Sequence, residues 1–121
     1  QGGKQDLEEE IQHDRDALVL TPLGHPLRGI SLNAIASALL TRFQQGGDRK
    51  ALEEAIQHYR DALVLTPPGH PDRGMSLNNI ANALSRRFEQ GGDRKDLEEA
   101  IQHHRDALVL TPPGHPLHAG S

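Results

Sequence analysis

The sequence predicts an all-α solenoid of antiparallel helix pairs, on three observations. First, Asp-Ala-Leu-Val-Leu-Thr-Pro occurs at Asp16–Pro22, Asp61–Pro67 and Asp106–Pro112, a period of 45 residues. Residues 6–50 and 51–95 differ at 11 of 45 positions, leaving 34 identical, so the unit is a structural repeat, and residues 96–121 begin a third copy. Second, each copy holds two stretches whose apolar residues recur at i, i+3, i+4 and i+7, the mark of one buried helix face. Third, two kinds of helix-breaking punctuation separate those stretches, and an unbroken coiled coil cannot run through them.

The elements follow in chain order. Five helices are expected, roughly over 6–20, 27–44, 49–65, 71–90 and 94–110. In the fourth, Leu77, Ile80, Ala81, Leu84 and Phe88 share a face; in the fifth, Leu97, Ala100, Ile101, His104, Ala107 and Leu108 do so. Gly46-Gly47 and Gly91-Gly92 end the second and fourth helices, because glycine accepts the left-handed backbone of a C-terminal cap, and Asp48 and Asp93 then stand as N-caps. Thr66-Pro67-Pro68-Gly69-His70-Pro71 stops the third helix, since proline lacks the amide and clashes with the preceding turn, while Pro71 suits the first turn of the next. A single helix pair has too little apolar surface to fold alone, so packing between neighbours must stabilise the array.

Composition narrows the function classes. With 121 residues the chain suits one domain, 1–121, read as an orphan helix 6–20, paired units 26–65 and 71–110, and a truncated tail 111–121 that opens a further first helix. That arrangement predicts a segment of a longer array. Thirteen Lys and Arg against 17 Asp and Glu give a net charge of -4, without the positive field that grips phosphates, so no nucleic-acid partner is expected. There is no cysteine for disulfide or thiol chemistry. The apolar runs are too short to span a bilayer, so no membrane partner is expected and a cytoplasmic protein is the default.

Leu77-Asn78-Asn79-Ile80-Ala81-Asn82-Ala83-Leu84, followed by Glu98-Glu99-Ala100-Ile101-Gln102-His103-His104-Arg105-Asp106-Ala107-Leu108 and then Pro112, resembles the tetratricopeptide repeat (TPR). Ala81 takes the small-residue place, and Tyr59 fills the aromatic place in one copy, where Asp14 and His104 replace it in the others. The common TPR unit has about 34 residues, so this one implies longer helices or loops. The likeness is to long-repeat TPR-like arrays of fungal multidomain proteins and, more distantly, to kinesin light chain repeats. It implies a right-handed solenoid and a non-enzymatic scaffold for protein or peptide partners, without cofactor.

By the same resemblance, the first helix of each pair lines a concave groove. Asn33, Ser37 and Thr41 on one helix and Asn78, Asn82 and Arg86 on the next would then be the ligand-binding rows. Asparagine donates and accepts at once, which suits the amides of an extended peptide, and Arg86 adds a carboxylate contact. One arginine is too few for a carboxylate clamp.

Other recurrent residues read as structural. His13, His58 and His103 each follow a glutamate by four residues, a helical charge pair on a solvated face, and no His-Glu-x-x-His or Cys/His spacing supports a metal site. His25, His70 and His115 sit in the Gly-His-Pro loop as helix-entry elements. Gly-Gly-Asp-Arg-Lys at 46–50 and 91–95 lacks the spacing and hydroxyl of a phosphate loop. Candidate acids and bases are duplicated at the repeat interval or lie on polar faces, so no catalytic residue is expected.

The terminal helices each lack one neighbour, and neither carries a substituted, polar version of the repeat. Leu7, Ile11 and Leu18 at one end and Leu97, Ile101 and Leu108 at the other are therefore expected to stay uncovered and to drive self-association into a homo-oligomer.

Overall fold

The computed structural model describes residues 2–110. It contains α1 (Gly2–Val19), α2 (Arg28–Gly46), α3 (Arg49–Val64), α4 (Arg73–Gly91) and α5 (Arg94–Leu110), with no strand among the described residues. The chain forms two compact units, Gln1–Leu65 and Thr66–Ser121. In the first, α2 packs on both α1 and α3; in the second, α4 packs on α5. The boundary falls at the end of a repeat, where the proline loop begins.

The Gly-Gly-Asp junctions behave as their chemistry requires. Gly47 and Gly92 adopt φ of 73° and 70°, and their amides donate to the carbonyls of Phe43 (2.7 Å) and Phe88 (2.6 Å). Only glycine takes that left-handed conformation without a Cβ penalty. One residue later Asp48 accepts from the amides of Lys50 and Ala51, and Asp93 from that of Lys95, satisfying donors that have no partner within the helix.

The proline loops differ from expectation in where the next helix starts. α2 begins at Arg28 and α4 at Arg73, later than 27 and 71, and Pro71 lies before the helix. The cause is the histidine. His70 Nδ1 accepts from the Asp72 amide at 3.0 Å, and His25 Nδ1 accepts from Leu27 in the same way, so each ring closes a turn that delays the helix. Arg28 and Arg73 then donate back to the carbonyls of Thr21 (2.9 Å) and Thr66 (2.8 Å), each bracing its own proline loop. His115 lies outside the described residues.

Alanine sets the closeness of each pair. Ala36, Ala55 and Ala62 in the first unit and Ala81, Ala83, Ala100 and Ala107 in the second are buried, among Leu32, Ile35, Leu39 and Leu52 and among Leu77, Ile80 and Leu84 respectively. Each fully buried leucine or isoleucine contributes about 1.5–3 kcal/mol. α5 shows which face does this: its buried residues Asp96, Ala100 and Ala107 lie towards α4, its one helical neighbour among the described elements.

The amino-terminal end overturns an expectation. Leu7 and Ile11 are buried and Leu18 half-buried, because this face of α1 is the one that packs on α2. The opposite side of α1 is polar by substitution: exposed Glu10 stands where α3 and α5 carry buried Ala55 and Ala100, and Asp14 stands where α3 carries buried Tyr59. α1 thus differs from its two copies on this side by charged residues, Glu10 exposed and Asp14 half-buried. At the other end, Leu97 is half-buried, whereas Ile101 is 42% and Leu108 58% exposed.

If alanine is required for close approach, enlarging it must strain the pair. Ala62→Leu is expected to cost about 1–3 kcal/mol, seen in urea unfolding as a lower midpoint at unchanged slope. An unchanged midpoint would mean that the interface has room to spare.

Candidate functional site

Asn33, Ser37 and Thr41 lie on α2, and Asn78, Asn82 and Arg86 lie at the repeat interval on α4. Each row occupies one side of its helix because its members are four residues apart. Their environments differ.

In the first unit the row is largely engaged. The Thr41 hydroxyl donates to the Ser37 carbonyl at 3.0 Å, one turn back in its own helix. The Ser37 hydroxyl lies 2.9 Å from the Tyr59 hydroxyl on α3. Asn33 is half-buried, and its Oδ1 is buried without a hydrogen-bond partner.

In the second unit the row is open. Asn78 and Asn82 are exposed, and Asn78 Oδ1 makes a long 3.4 Å contact with His104 Nδ1, which stands where α3 has Tyr59. Arg86 is exposed and donates to Glu89 within its own helix at 3.3 Å. Such an exposed pair is worth at most about 1 kcal/mol and gives way readily to another carboxylate.

Tyr59 was foreseen only as an aromatic packing residue, yet it supplies the polar link to Ser37. Its ring is 3% exposed, and burial pushes its phenol above the usual tyrosine range, an effect the Ser37 hydrogen bond opposes. Two ion pairs also escape sequence reasoning, since each joins residues on different helices, 39 and 9 positions apart. Arg15 donates two hydrogen bonds to Glu54, at 2.6 and 3.2 Å, and these hold the Glu54 carboxyl below its usual range, with His58 adding to the effect and partial burial opposing it. In the second unit, Arg87 forms a fork on the buried carboxylate of Asp96, both bonds at 3.0 Å.

The histidine ladder is more sheltered than a solvated face would be. His58 and His103 reach Glu54 and Glu99 at 3.1 Å, as the four-residue spacing predicts, but each side chain is only 17% exposed. α3 and α5 pack against α2 and α4, whereas His13 on α1, with no preceding helix among the described residues, is exposed. No group of three or more His, Asp or Glu side chains converges among the described residues. An open pocket of about 340 Å³ lies in the first unit between Leu7, Glu8, Arg42, Gln45, Gly46 and Asp48. Arg42 is shared there by Glu8 (3.1 Å) and Asp48 (3.4 Å), so the pocket carries no unbalanced cation for an anionic ligand.

The chain's one tyrosine allows a direct check of this packing. Burial favours the neutral phenol, so the folded-state pKa is raised. The associated stability is fully present below the unfolded-state value of about 10 and is lost as pH rises through the folded-state value. Tyrosinate absorbance is expected to appear at higher pH in the native chain than in urea. Coincident curves would place the ring in solvent.

A family model for the Tetratricopeptide repeat matches residues 73–117. That stretch contains α4 and α5, with Asn78, Asn82 and Arg86 on the first of them. Comparison with curated proteins and with solved structures found no match. No helix among the described residues is long and apolar enough to cross a membrane. With its all-α helix pairs and the match at 73–117, the chain carries a TPR-like repeat, a type of domain that serves as a protein-interaction scaffold.

Proposed function

We propose that this chain is a non-enzymatic, cofactor-free scaffold that takes an extended peptide or protein segment along its polar first-helix rows, without nucleic-acid or membrane partners, in the cytoplasm. The observation that carries the reading is the open row of α4, where Asn78, Asn82 and Arg86 are all exposed on one side of the helix. Paired donors and acceptors on successive turns match the alternating amides and carbonyls of an extended chain. The α2 row supports the reading less: Asn33 is half-buried and its Oδ1 is closed to solvent. Ser37 and Thr41 contribute less, because their hydroxyls are already bonded. The repeats also differ where a ligand-specific site would need them to, with Ala34 against Asn79, Ser37 against Asn82, Leu40 against Ser85 and Thr41 against Arg86.

The test is a double substitution. Asn78→Ala with Asn82→Ala is expected to weaken a peptide selected by display on the wild-type chain by about tenfold or more, with helix content unchanged by circular dichroism. Undiminished affinity would remove the α4 row from the binding surface.

Self-association is the second reading, favoured by the exposed apolar side chains Ile101 and Leu108 on α5. It is confined to that end, since Leu7 and Ile11 are covered within the first unit. Sedimentation over a concentration series is expected to show a reversible dimer that Ile101→Asp abolishes. A strictly monomeric chain at millimolar concentration would dismiss this reading.

A further inference from the structure

We propose that Gly74, Met75 and Leu110 form a side-chain notch for an apolar residue of the bound peptide, and that this residue stands about five positions from an acidic one that meets Arg86. The proposal rests on the polar-row reading of α4 and adds to it the kind of peptide taken. Gly74 is the i−4 neighbour of Asn78, so the row of Asn78, Asn82 and Arg86 runs on for one further turn in which no side chain stands. The backbone does not require glycine there, since Gly74 lies inside α4 and its φ is not positive. Close packing does not require it either, because a Cβ would meet only Leu110 Cδ1, at 3.9 Å, an ordinary contact. Glycine weakens a helix relative to alanine, so the empty turn costs α4 stability without serving its own fold. Leu110 borders the space and Met75 flanks it along the helix, 43% and 51% exposed respectively. The same exposure is met one repeat earlier, at Leu65 (38%) and Ile30 (64%), where a further copy follows. Methionine is unbranched and polarizable, and it adapts to apolar partners of different shape.

Charge sets the other end of the peptide. α4 carries three arginines: Arg73 is bonded to the Thr66 carbonyl and Arg87 to the buried Asp96 carboxylate, whereas Arg86 is held only by an exposed pair with Glu89 that another carboxylate can replace. Twelve positions separate Gly74 from Arg86, about 18 Å along the helix, which an extended chain covers in about five residues. Asn78 and Asn82 lie between them, where donors and acceptors suit the intervening backbone. The first unit has neither end. Gly29 has no neighbouring heavy atom within 4 Å, and Thr41 stands where α4 has Arg86.

A library of random peptides displayed on phage and selected on the whole 121-residue chain tests the proposal. Selected peptides that are weakened by Asn78→Ala with Asn82→Ala are expected to carry a bulky apolar residue and an Asp or Glu about five positions apart. Met75→Asp, at an exposed position, should weaken them about tenfold or more, and so should Gly74→Leu, which fills the notch. Replacing the peptide's apolar residue by serine should do the same with the protein untouched. Arg86→Glu should weaken them likewise, with affinity regained when the acidic residue of the peptide becomes lysine. Peptides that need Asn78 and Asn82 but lack the apolar and acidic pair, or that tolerate Met75→Asp and Gly74→Leu, would overturn the notch and leave the polar-row reading standing. Peptides indifferent to the two asparagines, or a selection that yields no binder, would overturn both.

Discussion

The constraint on which the rest of the structure depends is the close approach of the helices within each pair. Alanine on both sides permits it, with Ala36 meeting the environment of Ala55 and Ala62 in the first unit and Ala81 and Ala83 that of Ala100 and Ala107 in the second. A chain with two phenylalanines, one tyrosine and no tryptophan cannot fill a wide interior, so its pairs must be narrow. Narrow pairs leave no slack at their ends, and the connections are correspondingly determined. The left-handed Gly47 and Gly92 turn the chain within a single residue, and Asp48 and Asp93 start the returning helix at once. The longer proline loops are held by His25, His70, Arg28 and Arg73, each bonded to backbone. The polar side chains on α2 and α4 are therefore presented at fixed turns of their helices.

Much of this was legible in the sequence, because repeat period, apolar periodicity and cap chemistry are all local signals that reinforce one another. The helices and their glycine and aspartate caps could be placed to within a few residues. Less legible was anything that depends on which side chains meet across the pair. The proline loops start their helices late because an imidazole accepts a backbone amide, a contact that composition does not announce. Tyr59 reads as an aromatic at a family position, and its bond to Ser37 emerges only when α2 and α3 lie side by side. Arg15 and Glu54 are 39 residues apart, beyond any helical spacing rule. The charged side of α1 is different in kind. Glu10 against Ala55 and Ala100 is visible in the repeat alignment itself, and its meaning follows once that position is known to face a preceding helix.

The two polar rows show how near-identical repeats acquire different surfaces. Tyr59 in the first unit and His104 in the second occupy the same site on the second helix. The phenol reaches the short side chain of Ser37 and engages it, while the imidazole makes only a long contact with Asn78 and leaves Asn82 free. Substitution on one helix thus decides what the neighbouring helix can offer. Glu54 shows the same coupling, since its carboxyl is shared by Arg15 from α1 and His58 from its own helix, and both partners stabilise its charged form.

Position along the chain does the rest. α1, α3 and α5 are copies of one helix, yet they differ in which faces are covered. α3 buries residues on two sides, Ala55 with Ala62 and Leu52 with Ile56, whereas α5 buries the alanine side and exposes Ile101. α1 does the reverse, burying Leu7 and Ile11 and presenting a glutamate on the side where the other copies bury alanine. The same helix sequence thus buries different sides in different copies, and which side is buried follows from the neighbour packed on it rather than from its own apolar pattern, which is nearly the same in all three.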